Sequence, residues 1–481
     1  MRNPRACLPI SACLVLVMYA VSAIAGATTY YVATSGNNAN SGTSLASPFR
    51  TVSHAAGLVS PGDIIEVRAG TYAENVLIRR AGSANAWITL RGYNGERPVI
   101  RRSGSGPTLY FYRSECDEST IGNGNGNVDC LPMFWTVEGI EVRGSPSGGG
   151  DGNAIKIDTP KVSLRNNRLC CSVADVVKLV RTANDVEISG NEIWQDASIT
   201  VPGGNAQGID IVGADRSQVI GNYVHDVPDF GIYAKGNARE TVLANNLLVN
   251  IGGNALMLGQ STDAARLLDG VHETYDGIIR NNVVVNATWA CLATASSTRV
   301  RIYNNSCHNT GTSTHGSILL SNESEIGTHG LDIEIANNAI HGSANRPVIR
   351  ITSNAMADYG TLKIDRNIYY IGGGNPRFHS SDHFNVTGMA AWTTAYTALS
   401  GRHDSSLSSD PRFITTSGIH PLAIDSTSPA LDAGLNLAPW VSDDRLGTAR
   451  PQGPAFDIGA YELGLRDRIL CDGFESVPGC G

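Results

Sequence analysis

A lysine, Lys235, ends the short alternating run "GIYAK", and an amine held at the end of a strand can serve as a base if nearby charge and partial burial help it lose its proton. Side chains alternate along a strand, so with Ile232 and Ala234 inward, Tyr233 and Lys235 face outward. The run "GIDIV" likewise puts Ile209 and Ile211 inward and Asp210 outward. "AIKID" presents Lys156 and Asp158, "VVKLVR" presents Lys178 with Arg181 nearby, and "NALML" is read as presenting Leu256 and Leu258. Asp229 and Asp226 lie in the turn before Tyr233. Lysine, arginine, tyrosine and aspartate on one face of an acidic chain suit a polymer of uronic acids. Such polymers are cut by β-elimination: a base removes the proton beside the carboxylate and the glycosidic oxygen leaves. The carboxylate charge must be offset for that step to proceed. Lys235 is the candidate base, and Tyr233, Lys178, Arg181 and Lys156 are the candidate substrate contacts. Plainer readings compete. An exposed strand lysine is often a solvated charge, and Asp226 and Asp229 flank Pro228 as ordinary turn formers.

These residues are positioned by a repeat. The phrases "SLRNNRL", "EISGNEI", "QVIGNYV", "VLANNLL", "IIRNNVV", "RIYNNSC", "EIANNAI" and "KIDRNIY" place an asparagine at 167, 191, 222, 246, 282, 305, 338 and 367. The spacing is about 23 residues, with insertions in some copies, a period that signals a solenoid. Each copy holds three short β-rich runs, and between the second and third there is room only for an asparagine corner. Three strands per coil with a tight asparagine corner specify an all-β, right-handed parallel β-helix, with the asparagines stacked in a hydrogen-bonded ladder. The only run that reads as helical is "TVSHAAGLV" near the start.

The pattern resembles the right-handed parallel β-helix proteins of the pectate-lyase type over roughly residues 30 to 370. The opening "YYVATSGNNANSGTSLASPFRTVSHAAGLVSPGDIIEVRAGTYAENVLI" resembles the N-terminal cap of secreted bacterial polysaccharide lyases and their relatives, and "SPALDAG" with "RPQGPAFDIGAYE" resembles the terminal segment of β-helix proteins called choice-of-anchor. The resemblance implies that the first strand of each coil builds one exposed sheet framed by variable loops. The insertions "QDASITVPGGNAQ", "GQSTDAARLLDGVHETYDG" and "NESEIGTHG" fall around that strand. In one calcium-dependent pectate-lyase family, a motif like Asp-Asp-Gly-Trp-Asp supplies the metal ligands. Here "AQGID" matches it at Gly208 and Asp210, while Ala206 and Gln207 stand where two acids would be, so the resemblance implies a Ca²⁺ shell of Asp210 with Asp229 and Asp226 as the replacing carboxylates.

The organisation follows. Residues 1–27 read as an export signal, with Arg2 and Arg5 before an apolar run and small residues at Ala23, Ala25 and Ala27. Residues 28–100 are the cap and first coils, 101–372 the β-helix core, 373–462 a closing segment and 463–481 a tail. No later run is apolar enough to span a bilayer. Losing Arg2 and Arg5 takes the formal charge from −8 to −10, which argues against nucleic acid as a general partner. The expected protein is a secreted monomer whose partner is an acidic polysaccharide. Cys116 with Cys130, and Cys471 with Cys480, are the expected disulfides. Cys291 and Cys307 either meet in the core or stay as thiols, and Cys170 and Cys171 have no assigned partners. A polysaccharide lyase is the first reading; a non-catalytic carbohydrate-binding protein and a glycoside hydrolase using Asp210 with Asp229 are the alternatives.

Overall fold

In the computed structural model the described residues are 26–464, apart from 105, 117–129, 146–151, 197–204, 261, 263–266, 268–270 and 324–326. The expected export signal (all but its last two residues) and the Cys471–Cys480 pair lie outside them. The chain forms stacked coils of three short strands each, and the strands build three sheets of 12, 14 and 11 strands. Pairing along each sheet is parallel except where Phe384–Thr387 turns back on Arg377–Ser380. This is the right-handed parallel β-helix expected from the repeat. Val, Ile and Leu from all three sheets fill one continuous core.

The asparagine ladder runs at the corner between the second and third strand of each coil. Asn222 Nδ2 and its backbone N–H both donate to Asn246 Oδ1, at 3.0 and 2.9 Å, and the same pair of bonds links every step from Asn167 to Asn367. The second amide hydrogen goes to a backbone carbonyl, such as Ile188 O for Asn222. Each buried amide is therefore satisfied, as burial of polar groups requires. Ser406 Oγ continues the ladder beyond Asn367. The left-handed residue at the corner is the one before the ladder asparagine: Asn166, Gly190, Gly221, Asn245, Asn281, Asn304, Asn337 and Arg366 have φ between 53° and 67°. In the double-asparagine copies the first asparagine points outward. Asn281, Asn304 and Asn337 use their Nδ2 groups to hold Asp443 O, Asp457 O and Leu435 O of the closing segment. Arg280 adds an ion pair with Asp443 at 3.0 Å.

Both ends are covered, as open sheet edges demand. At the start, the helix Val52–Leu58 buries Val52, Ala55 and Ala56. At the other end the helix Met389–Ser400, which the sequence reading missed, lays Trp392 on Phe378 with ring centroids 4.4 Å apart. Cys116–Cys130 is bonded as expected, Cys291–Cys307 joins across the core, and the neighbours Cys170 and Cys171 bond to each other. Disulfides of this kind belong to oxidising compartments. Among the described residues no helix is long and apolar enough to cross a membrane.

Candidate functional site

The first strands of the coils stack in register, and one outward column reads Tyr110, Lys156, Lys178, Asp210, Tyr233, Met257, Ala293, Leu319, Arg350. Small residues let the coils pass closely where these strands begin. A Cβ on Gly208 would come within 2.5 Å of Gly231 O, and one on Gly231 within 2.6 Å of Ala255 O. The phase expected for "GIDIV" and "GIYAK" holds. That for "NALML" is corrected: Leu256 pairs with Ile232 and Leu258 with Ala234, so both are core and Met257 faces out.

The polar part of the column is more enclosed than a solvent-facing strand would be. Asp175 and Asp210 are each about 1% exposed, and the Lys178 ammonium lies between them, bonded to Asp210 Oδ2 and 3.2 Å from Asp175 Oδ2. Burial alone would depress the lysine, but Asp210 and Asp175 outweigh it and hold Lys178 protonated above its ordinary value. Burial and the charge of Asp210 push Asp175 up to about 7, against the opposing pull of Lys178 and Lys235. Lys178 is thus a locked internal cation rather than a free contact for substrate. Lys156, half-buried, stands over the Tyr110 ring at 5.4 Å, and Tyr110 OH bonds Asp158. Arg181 lies half-buried just past the strand, beside Gly213 of the next coil.

Lys235 is half-buried at the end of its strand, its Nζ 4.7 Å from the centre of the Tyr233 ring. Among the described residues it forms no salt bridge, in contrast to Lys178. Tyr233 leaves the sheet in the expected direction but is only 1% exposed, which corrects its reading as an open groove residue. It packs with Phe230, Met257, Ala293 and Leu319 in an apolar layer on the outer face of the sheet, and its hydroxyl donates to Gln260 O in the long insertion. That insertion leaves the sheet at Gly259, whose φ of +96° and closeness to Ala295 O exclude a side chain. It is tied back by Glu273, fully buried, whose carboxylate accepts from Gly236 N, Thr262 N and Thr262 Oγ1 at 2.8, 2.9 and 2.6 Å. The described ends of the insertion, at Gln260, Thr262 and Glu273, are therefore held beside Gly236, next to Lys235.

The three carboxylates expected to hold Ca²⁺ do not converge. Asp210 is taken by Lys178. Asp229 accepts from Gln207 Nε2 at 2.9 Å, and burial raises its pKa despite two backbone donors. Asp226 is exposed on a strand of the third sheet, bonded to His225 Nδ1 at 2.7 Å and to Asn250. Its left-handed φ of 51° begins an outer ladder, Asp226–Asn250–Asn286–Asn309, away from the first sheet. Among the described residues no three His, Cys, Asp or Glu side chains lie close enough to share a metal ion. Asp175 and Asp210 each keep one buried oxygen without a protein donor, so the pair has acceptor capacity. Its centre, however, is filled by an ammonium. The described residues do not fit Ca²⁺. Asp175 was missed by sequence reasoning; the signal was its place three residues before Lys178 in "VADVVKLV", facing the same register as the "AQGID" motif.

Comparison with known proteins agrees with the fold. The family described as "Pel9A-like, right handed beta helix region" matches residues 30–168, and that described as "Right handed beta helix region" matches residues 153–340. The chain is 26% identical over 140 residues to "Pectate lyase PEL9" of Emericella nidulans, covering 28% of this chain and 33% of that one. It is 37% identical over 70 residues to "Uncharacterized protein YwoF" of Bacillus subtilis, covering 15% of each. These matches span a third or less of the curated relatives. Among solved structures, pectate lyase Pel9A superposes with a TM-score of 0.54 at 16% identity, covering 90% of this chain and 96% of that one. The Pel9A-like match ends before the Lys178–Lys235 region begins. The chain is a right-handed parallel β-helix protein, Pel9A-like in its opening coils and similar in fold to pectate lyase Pel9A over most of its length.

Proposed function

We propose that the protein is an exported, monomeric polysaccharide lyase that cleaves a uronate-containing polymer by β-elimination, with Lys235 as the base. The observation that carries this reading is the contrast between two lysines two coils apart in one sheet. Lys178 is clamped by two buried carboxylates that hold it protonated, whereas Lys235 stands at the end of a strand and forms no salt bridge among the described residues. A base must be held in place without being tied to a carboxylate, and of these two lysines Lys235 is the one whose surroundings allow that. Its amine takes the proton next to the uronate carboxylate, the electron pair moves to form the new double bond, and the glycosidic oxygen leaves. Arg181 and Lys156 are the candidate partners for the substrate carboxylate. The similarity to pectate lyases in the first coils supports the substrate class.

A glycan-binding protein without catalysis is the second reading, favoured by the apolar layer over Tyr233 and Met257, which narrows the open part of the sheet. The hydrolase reading loses its acid, because Asp210 is bound to Lys178. The test is a panel of acidic and neutral polysaccharides assayed for unsaturated product and for new reducing ends, with and without chelator. Unsaturated product from a uronate polymer supports the lyase. Reducing ends without unsaturation, or binding without either product, overturns it.

A further inference from the structure

Four coils beyond Tyr233 in the same outward column stands Arg350. At about 4.8 Å per strand this is about 19 Å along the sheet. Arg350 lines a cavity of about 160 Å³ together with Arg346, Arg377, His379, Thr314, Asn345 and Pro347. Three guanidiniums share this small recess, and among the described residues none of them forms a salt bridge. Elsewhere on the coils arginines are typically neutralised by the next rung, as in Arg165–Glu187, Arg168–Glu192, Arg216–Asp185 and Arg299–Asp276. An uncompensated cationic recess in a chain of formal charge −8 is therefore a local choice and not a consequence of composition.

The recess is also built. Arg350 Nη1 donates to Thr314 O, Arg346 Nε to Thr312 O at 3.3 Å, and Arg377 Nε to Asn385 Oδ1 at 2.9 Å. These bonds fix the guanidinium planes and leave other N–H groups for a ligand. Burial and the neighbouring arginines lower the pKa of His379, as burial and Arg350 do for His315, so neither imidazole adds charge at neutral pH. Toward the coil of Tyr233, the edge where the strands begin carries His315 stacked on Trp289, with centroids 4.4 Å apart and planes 14° apart, and then Phe230 against Trp289 at 5.6 Å. Half-buried aromatic faces are what sugar rings stack on, and forked guanidiniums are what carboxylates bind. The two lie in line along one sheet.

We propose that Arg346, Arg350 and Arg377 form a remote subsite that binds a carboxylate of an acidic glycan chain, with Trp289 supporting the intervening sugars. This rests on the polyuronate reading above. It makes the protein a reader of long chains: an oligomer must reach from Lys235 past Trp289 before the arginines engage.

The test uses the full-length protein and oligouronates of graded length, with carboxyl-reduced oligomers as neutral probes, by calorimetry. The variants are Arg350→Ala and the double variant Arg346→Ala/Arg377→Ala, each checked for an unchanged melting temperature. Octamer binding should weaken about tenfold or more in each variant, the scale of a lost charged hydrogen bond, with trimer binding unchanged. Wild-type binding should also fall for reduced octamers. If octamers bind wild type and variants equally, the subsite is overturned while the polyuronate reading stands. If no acidic oligomer binds the wild type at any length, both fall together.

Discussion

The Lys178 ammonium stands 3.2 Å from the Asp175 carboxylate, which is buried, while the lysine itself is only partly exposed on the outward face of the first sheet. With Asp210 on the other side, the lysine does for two buried carboxylates what a bound cation would do. Removing one partner of such a group leaves uncompensated charge, which typically costs about 3–5 kcal/mol. Lys178→Met should therefore be destabilised on that scale at pH 8, and less at pH 5, where Asp175 takes up a proton. The variant should also gain a stabilising response to Ca²⁺ that the wild type lacks. Thermal melts with Ca²⁺ and with chelator check both points. A wild type that melts lower in chelator, with Lys178→Met unresponsive, would reverse the assignment.

The inner ladder makes a second prediction. Asn246 Oδ1 accepts two bonds from Asn222. Asn246→Ala orphans both buried donors, at about 1–3 kcal/mol each. Asn286→Ala, in the exposed outer ladder, removes two solvent-accessible bonds, one to Asn250 and one from Asn309, and should cost well under that. Equal destabilisation in urea melts would show that the ladders are not different in kind.

Histidine burial gives a pH dependence with a defined sign. His308 faces His341 on the next rung of the third sheet, ring centroids 4.5 Å apart, and burial with that neighbour lowers it to about 4. The folded value lies below the unfolded one, so the unfolded chain takes the proton first as pH falls. Stability is unaffected above the unfolded value of about 6.5. It declines from there until pH reaches the folded value. His308→Asn should flatten the melting temperature between pH 6.5 and 4 relative to wild type. A variant with the same slope as wild type would place the titration elsewhere.

The latch beside Lys235 can be tested separately. Glu273 holds Gly236 and Thr262 through three hydrogen bonds. Glu273→Ala should release the insertion near Gln260, raising proteolytic cleavage between 259 and 273 while the ladder-dependent melting transition shifts little. Cleavage unchanged from wild type would show that the Tyr233–Gln260 contact alone holds the loop.

What could be read from the sequence divides along physical lines. The repeat was legible because the ladder asparagines recur at nearly fixed spacing and each must satisfy the same buried bonds. The inward phase of "GIDIV" and "GIYAK" followed from simple alternation. "NALML" misled because Leu and Met are both apolar, so hydrophobicity could not tell core from the outer layer that Met257 joins. That layer also hid Tyr233, since what covers it, the insertion after Gly259, comes from a loop and not from strand periodicity. The Asp175–Lys178–Asp210 group was invisible as a unit because its members meet across two coils. The double asparagines carried unread information as well: one amide serves the ladder and the other grips the closing segment, whose contacts are more than 90 residues distant.

The assignment of Lys235 as base is tested most directly by measuring turnover of Lys235→Ala and Lys235→Arg on the polyuronate that the wild type cleaves fastest. Loss of a general base predicts a fall of about 100-fold or more in kcat for Lys235→Ala, with its melting temperature nearly unchanged. Lys235→Arg should not recover activity, because a guanidinium stays protonated at working pH. Full turnover by Lys235→Ala would contradict the account and place the base elsewhere on the sheet.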